Sequence, residues 1–124
     1  MAEFDCVEIS DLLGKIFTSV VKNDDDTEII FLDEPGCGYK MYHMQDCCES
    51  VYVEDIDGDL SDLIGSPITQ AEEASSKDGP LSEYDESYTW TFYKLATAKG
   101  YITIRWYGTS NGYYSESVYI STIP

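Results

Sequence analysis

A chain of 124 residues fits one ordinary domain, because a domain of this size buries roughly two thirds of the surface its unfolded form exposes, and a second core is not expected. Hydrophobic residues are 43% and aromatic residues 14% of the chain, which supplies a packed interior and excludes a disordered acidic tail. Seven basic residues against 24 acidic ones leave a formal charge of −17, a field that repels nucleic-acid phosphates, argues against direct nucleic-acid binding and attracts basic protein surfaces.

In chain order, the start Met1-Ala2-Glu3-Phe4-Asp5 has neither the basic residues nor the apolar core of an export signal, and no later stretch approaches the roughly 20 apolar residues of a membrane span. The expected location is the cytoplasm, with no membrane partner. Cys6, Cys37, Cys47 and Cys48 are expected there as free thiols or metal ligands. Strands are predicted over 16–22, 27–32, 39–43, 50–54, 68–74, 87–98, 101–107 and 113–120, several of them rich in β-branched and aromatic residues. Asn23 to Asp26 reads as a polar turn, and Lys99-Gly100 as the joint of a long central hairpin. Asn111-Gly112 reads as a tight hairpin turn, because that dipeptide tolerates positive φ at both central positions. The polar, aperiodic stretch 75–86 is expected to be a mobile loop.

A repeat organises these elements. Residues 8–18, Glu-Ile-Ser-Asp-Leu-Leu-Gly-Lys-Ile-Phe-Thr, match 59–69, Asp-Leu-Ser-Asp-Leu-Ile-Gly-Ser-Pro-Ile-Thr, and Glu-Ser-Val-Tyr recurs at 49–52 and 116–119. Between them, Gly38-Tyr39 answers Gly100-Tyr101. Residues 1–124 are therefore read as one domain with repeat halves about 5–57 and 58–124, each a helical turn followed by four strands. In the second turn Asp59 can cap, Asp62 sits where the helix dipole favours it, and Gly65 ends the segment. The predicted fold class is α+β: an antiparallel sheet carrying short helices, with internal pseudosymmetry.

The densest chemistry lies in His43-Met44-Gln45-Asp46-Cys47-Cys48-Glu49, which holds the single histidine and two of the four cysteines. Imidazole and thiolate are ligands that zinc prefers, and Cys37, Cys6, Asp46 or Glu49 could complete a tetrahedron. Free thiols beside a hydrogen-bonded histidine fit the same residues. A cysteine nucleophile with His43 as its base is a third reading, disfavoured by acidic surroundings that raise a thiol's pKa. Asp55-Ile56-Asp57-Gly58-Asp59-Leu60-Ser61-Asp62 imitates a calcium loop, yet its glycine stands at the fourth place and Ser66 where a bidentate glutamate is required.

The run Met41-Tyr42-His43-Met44-Gln45-Asp46-Cys47-Cys48-Glu49-Ser50-Val51-Tyr52, with Gly58-Asp59-Leu60, Leu63-Ile64-Gly65-Ser66-Pro67-Ile68 and Thr89-Trp90-Thr91-Phe92-Tyr93, resembles a family of small phage-encoded proteins of unknown function. Within that company the chain is similar to the zinc-containing anti-CRISPR proteins of streptococcal phages. The resemblance implies a protein that binds a type II RNA-guided nuclease and stops target DNA from loading, with a structural zinc held by His43, Cys47 and Cys48. It also implies the host bacterial cytoplasm as the place of action. The leading expectation is thus a non-catalytic inhibitor acting by protein–protein binding to a basic host protein. A sequestering protein for a nucleotide signal is the alternative, and a cysteine or zinc enzyme a more remote one.

Overall fold

The computed structural model describes residues 6–33, 36–45, 48–77, 79–112 and 114–123. Among them the strands are β1 (Cys6–Val7), β2 (Ser19–Lys22), β3 (Glu28–Leu32), β4 (Gly38–Tyr42), β5 (Ser50–Asp57), β6 (Gln70–Ser76), β7 (Ser87–Thr97), β8 (Gly100–Ser110) and β9 (Tyr119–Ile123). They form two antiparallel sheets, ordered β1-β9-β4-β3-β2 and β5-β8-β7-β6, which share one apolar core. Strand formation follows the alternation of side chains: β3 buries Ile29 and Phe31, and β7 buries Thr91, Tyr93, Leu95 and Thr97. The sheets meet through Met41 of β4 and Trp106 of β8, where the indole Nε1 lies 3.1 Å from the Met41 sulfur.

The α+β expectation is overturned. The fold is all-β, and the helical content among the described residues is two 3₁₀ turns, Ile9–Leu12 and Leu60–Leu63. Each turn is squeezed between an extended residue, Glu8 or Asp59, and a glycine in the left-handed region, Gly14 at φ 82° or Gly65 at φ 83°. Four residues cannot repay the nucleation of an α-helix, so a single tighter turn forms instead.

Contacts around these turns are reciprocal between the halves. Gly14 N donates to Ile68 O and Gly65 N donates to Phe17 O, both at 2.8 Å, and each pair becomes the other on shifting by 51 residues. Thr18 N to Leu32 O and Thr69 N to Ala96 O, both 2.8 Å, repeat the pattern with donors 51 residues apart, each tying its chain to the next strand of its own half. Leu12 and Leu63 are both fully buried, as are Phe17 and Ile68 to within 2%. The last strand of each half is exchanged: β5 pairs with β8, and β9 pairs with β4. Each sheet is therefore built from three strands of one half and the closing Glu-Ser-Val-Tyr strand of the other, with β1 added at one edge.

The Asn111-Gly112 hairpin is a second correction. Gly112 does take a positive φ of 91°, but β8 ends at Ser110 and the chain crosses to the other sheet before β9 begins at Tyr119. The predicted strand 113–120 is displaced accordingly. The turn at Asn23 to Asp26 forms between β2 and β3, closed by Asn23 N donating to Glu28 O, and Thr97 pairs with Gly100 at the tip of the β7–β8 hairpin.

Candidate functional site

His43 follows directly on β4, where the chain leaves the first sheet. Its Nδ1 lies 2.7 Å from Ser117 O and its Nε2 lies 2.7 Å from Glu49 Oε2. The imidazole side chain is 3% exposed and the Glu49 side chain 0%, and the His43 ring stacks on Tyr119 with centroids 6.3 Å apart. Gln45 Nε2 donates to Glu49 O at 2.7 Å and to Glu49 Oε1 at 3.2 Å, which leaves the carboxylate held from two sides.

That geometry does not fit a zinc ligand. A metal needs a nitrogen lone pair, and both His43 nitrogens are directed at oxygen acceptors. Cys48 is exposed and disulfide-bonded, so its sulfur is not a thiolate, while Cys6 and Cys37 are free and exposed. Cys47 and Asp46 lie outside the described residues. Cys37 precedes β4 and His43 follows it, a separation of roughly 20 Å at about 3.3 Å per residue. Cys6 sits two strands from β4, within 3.8 Å of Ser121 Oγ. The described donors thus do not converge, and the imidazole that a cysteine nucleophile would use as base is occupied by Glu49.

Glu116 is the counterpart of Glu49 in the second Glu-Ser-Val-Tyr run. It accepts from Thr89 Oγ1 at 2.7 Å and from Ser110 Oγ at 2.5 Å, with Lys77 Nζ 3.9 Å away. Burial alone would push its carboxyl up, but hydrogen bonds from Ser110, Ser87 and Thr89, with the Lys77 charge, outweigh it and hold the group below the usual glutamate range. His43 directly follows β4 and Ser110 ends β8, so each glutamate ties the end of a strand to the place where the chain changes sheets. These latches were not legible in the sequence, where the two glutamates are lost among 24 acids.

The stretch 75–86, expected as a mobile loop, begins as the end of β6 and then folds over the outer face of the second sheet. Trp90 Nε1 donates to Gly79 O at 2.8 Å, Tyr88 Oη donates to Lys77 O at 2.7 Å, and Leu81 N donates to Tyr107 Oη at 2.9 Å. Tyr107 in turn donates to Asp85, and its ring packs on Trp90 with centroids 4.3 Å apart. Burial, then the hydrogen bond to Asp85, pushes its phenol up to about 12. Asp59 caps the second 3₁₀ turn as expected, accepting from Ser61 N at 3.0 Å, and that bond lowers its carboxyl. The calcium-like spacing is thereby explained as a capped turn.

Acidic runs that are distant in sequence are joined in space. Val53 N donates to Asp26 O at 2.7 Å, which sets the β2–β3 turn, with exposed Asp24 and Asp25, against the strand carrying Glu54 and exposed Asp55. A second acidic surface follows β6, where Glu73 takes part in two adjoining clefts. One, about 540 Å³, is lined by Val7, Glu8, Ile9, Ser10, Ala71 and Glu72 as well; the other, about 470 Å³, continues past Ser75 to Thr91, Glu116 and Val118. Behind Glu73, its cross-strand neighbour Tyr93 is fully buried, and burial, then the facing Glu73 carboxylate, pushes its phenol up.

An all-β domain built from two exchanged halves, with acidic surfaces and buried glutamate latches, is the class that this architecture defines. Residues 10–120 match the family described as a domain of unknown function, DUF7448, and the chain belongs to that family. No curated protein and no solved structure matches it. Among the described residues no helix is long and apolar enough to cross a membrane.

Proposed function

We propose that the domain works by binding a basic protein and not by catalysis, using the acidic patch where the β2–β3 turn meets β5. The observation that carries this reading is the Val53–Asp26 backbone bond, which fuses two acidic runs into one surface. The patch holds five carboxylates, Asp24, Asp25, Asp26, Glu54 and Asp55, against two cations, since Lys22 pairs with Asp26 and Arg105 with Glu54. Elsewhere Lys40, Lys77 and Lys99 are committed to Glu28, to Glu116 and to the Ile64 carbonyl, so little internal charge offsets the excess. Such a field raises encounter rates with a cationic surface by about 10–10³ and weakens with salt over a Debye length of about 8–10 Å.

The resemblance to streptococcal phage anti-CRISPR proteins selects the partner to try first: a type II RNA-guided nuclease, whose nucleic-acid groove is cationic. Occupying that groove with carboxylates would mimic phosphates and keep target DNA out. The test is capture of the purified nuclease by the immobilised domain in low salt, followed by a DNA-loading assay. The reading expects capture that is lost at high salt and DNA loading that falls in step; a nuclease left unbound at low salt ends it.

A further inference from the structure

We propose that the cleft between Trp90, Phe92 and Arg105 takes an apolar side chain standing next to a lysine or arginine, and is the apolar half of a contact whose charged half is the acidic patch. The inference rests on that patch docking a basic protein, and it names what the partner must present beside its positive charge. Arg105 joins the two features. On one side it pairs with Glu54 and Asp55 of β5, and on the other its cross-strand neighbour on β7 is Phe92. The cleft, about 170 Å³, is lined by Ser76, Gly79, Trp90, Phe92 and Arg105. That is room for one leucine or phenylalanine side chain, since a cavity of about 150 Å³ admits a benzene ring.

The walls of the cleft are fixed before anything binds. Trp90 Nε1 donates to Gly79 O at 2.8 Å, and the Trp90 ring packs on Tyr107, which is itself held by Leu81 N and Asp85. The Arg105 guanidinium lies 5.3 Å from the Trp90 ring centroid, so its charge is met by an aromatic face and two carboxylates. A partner therefore pays little to order this surface. Asp55, with its side chain 57% exposed and 3.8 Å from Arg105, keeps capacity for a cation from outside. Comparison of the halves supplies an independent observation. Lys22–Ile29 and Glu73–Tyr93 are equivalent pairs, 51 residues apart on their first strands, so the rung Phe92–Arg105 stands where the first sheet has Glu28–Tyr42. Glu28 there has Lys40 3.9 Å away. The fold thus accepts a solvated carboxylate at the place where the second half exposes part of a phenylalanine. Tryptophan, phenylalanine and arginine clustered beside a charged rim are the composition of an interface hot spot.

The test is titration of the whole chain at low salt with two end-blocked peptides, Lys-Leu-Lys-Leu-Lys and Lys-Gly-Lys-Gly-Lys, followed by nuclear magnetic resonance of the indole N–H groups of Trp90 and Trp106. The leucine peptide should bind at least fivefold tighter than the glycine peptide and move the Trp90 signal, leaving that of buried Trp106 in place. Phe92→Glu, which copies the residue of the first half, should fold and bring the two peptides within twofold of each other, although its added charge favours both. Phe92→Ser should do the same without the charge. The patch variant Asp24→Asn, Asp25→Asn and Asp55→Asn should weaken both peptides about equally and keep the leucine preference. Three results overturn the proposal and spare the patch: equal affinity of the two peptides for the parent, a leucine preference that survives both Phe92 variants, or a Trp90 signal that does not move. Failure of both peptides to bind, or unchanged affinities in the patch variant, overturns the patch reading and the proposal with it.

Discussion

Replacing His43 by alanine isolates the first latch. The substitution removes two hydrogen bonds of 2.7 Å, to Ser117 O and Glu49 Oε2, in a pair whose side chains are 3% and 0% exposed. Removing one partner so that a buried polar group is left without its hydrogen bond costs about 1–3 kcal/mol. Because both bonds of His43 are lost at once, the high end applies, about 3 kcal/mol out of a total stability of about 5–15 kcal/mol. Urea unfolding followed by the fluorescence of buried Trp106 should show the midpoint falling by about 1–3 M for an m-value of about 1–3 kcal/mol/M. The double change His43→Phe with Glu49→Leu, which leaves neither ionisable group, should recover most of the loss, since apolar replacement of a buried pair is often neutral. A His43→Ala protein within about 0.5 kcal/mol of the parent would refute the latch. So would one zinc per chain in the parent that is lost with His43, because the imidazole lone pair would then serve a metal.

Gly38→Ala should abolish folding or leave only insoluble protein, because a Cβ there would lie 1.8 Å from the Phe31 carbonyl oxygen of the neighbouring strand; a soluble product with parental circular dichroism would contradict that register. Glu116 has a folded pKa below its ordinary value, so its contribution is present above the ordinary glutamate range and is lost as pH falls through the lowered folded value. Melting curves from neutral to acid pH should accordingly flatten in Glu116→Gln, and identical pH profiles would refute the assignment. Tyr107→Phe removes the hydroxyl that accepts from Leu81 N and donates to Asp85, so limited proteolysis within 79–86 should speed up several-fold, while unchanged cleavage would mean that the Trp90–Gly79 bond alone holds the loop.

What was legible in the sequence was local. Alternation marked β3 and β7, the Asn23 to Asp26 turn was identified by its chemistry, and the Ser-Asp-Leu and Glu-Ser-Val-Tyr repeats announced two similar halves. Partner exchange was not legible, because nothing in β5 or β9 says which of two equivalent sheets it joins, and Asn111-Gly112 has the same chemistry in a crossing as in a hairpin. The second segment read as a short helical turn because Asp59, Asp62 and Gly65 obey helix rules; the five residues between cap and glycine leave room only for a four-residue 3₁₀ turn. At His43 the sequence offered a ligand or a hydrogen-bonded histidine, and the structure supplies Glu49 and Ser117 as its partners.

The central claim is that one fused acidic surface, and not net charge spread over the molecule, recognises a cationic protein. Its most direct measurement is the association rate constant for the RNA-guided nuclease, as a function of ionic strength, for two triply neutralised variants. Asp24→Asn, Asp25→Asn and Asp55→Asn change the patch; Glu72→Gln on β6, Glu83→Gln and Glu86→Gln remove equal charge elsewhere. The account predicts a rate at least tenfold slower, with a shallower salt dependence, for the patch variant alone. Equal slowing in both variants, or none in either, would contradict it.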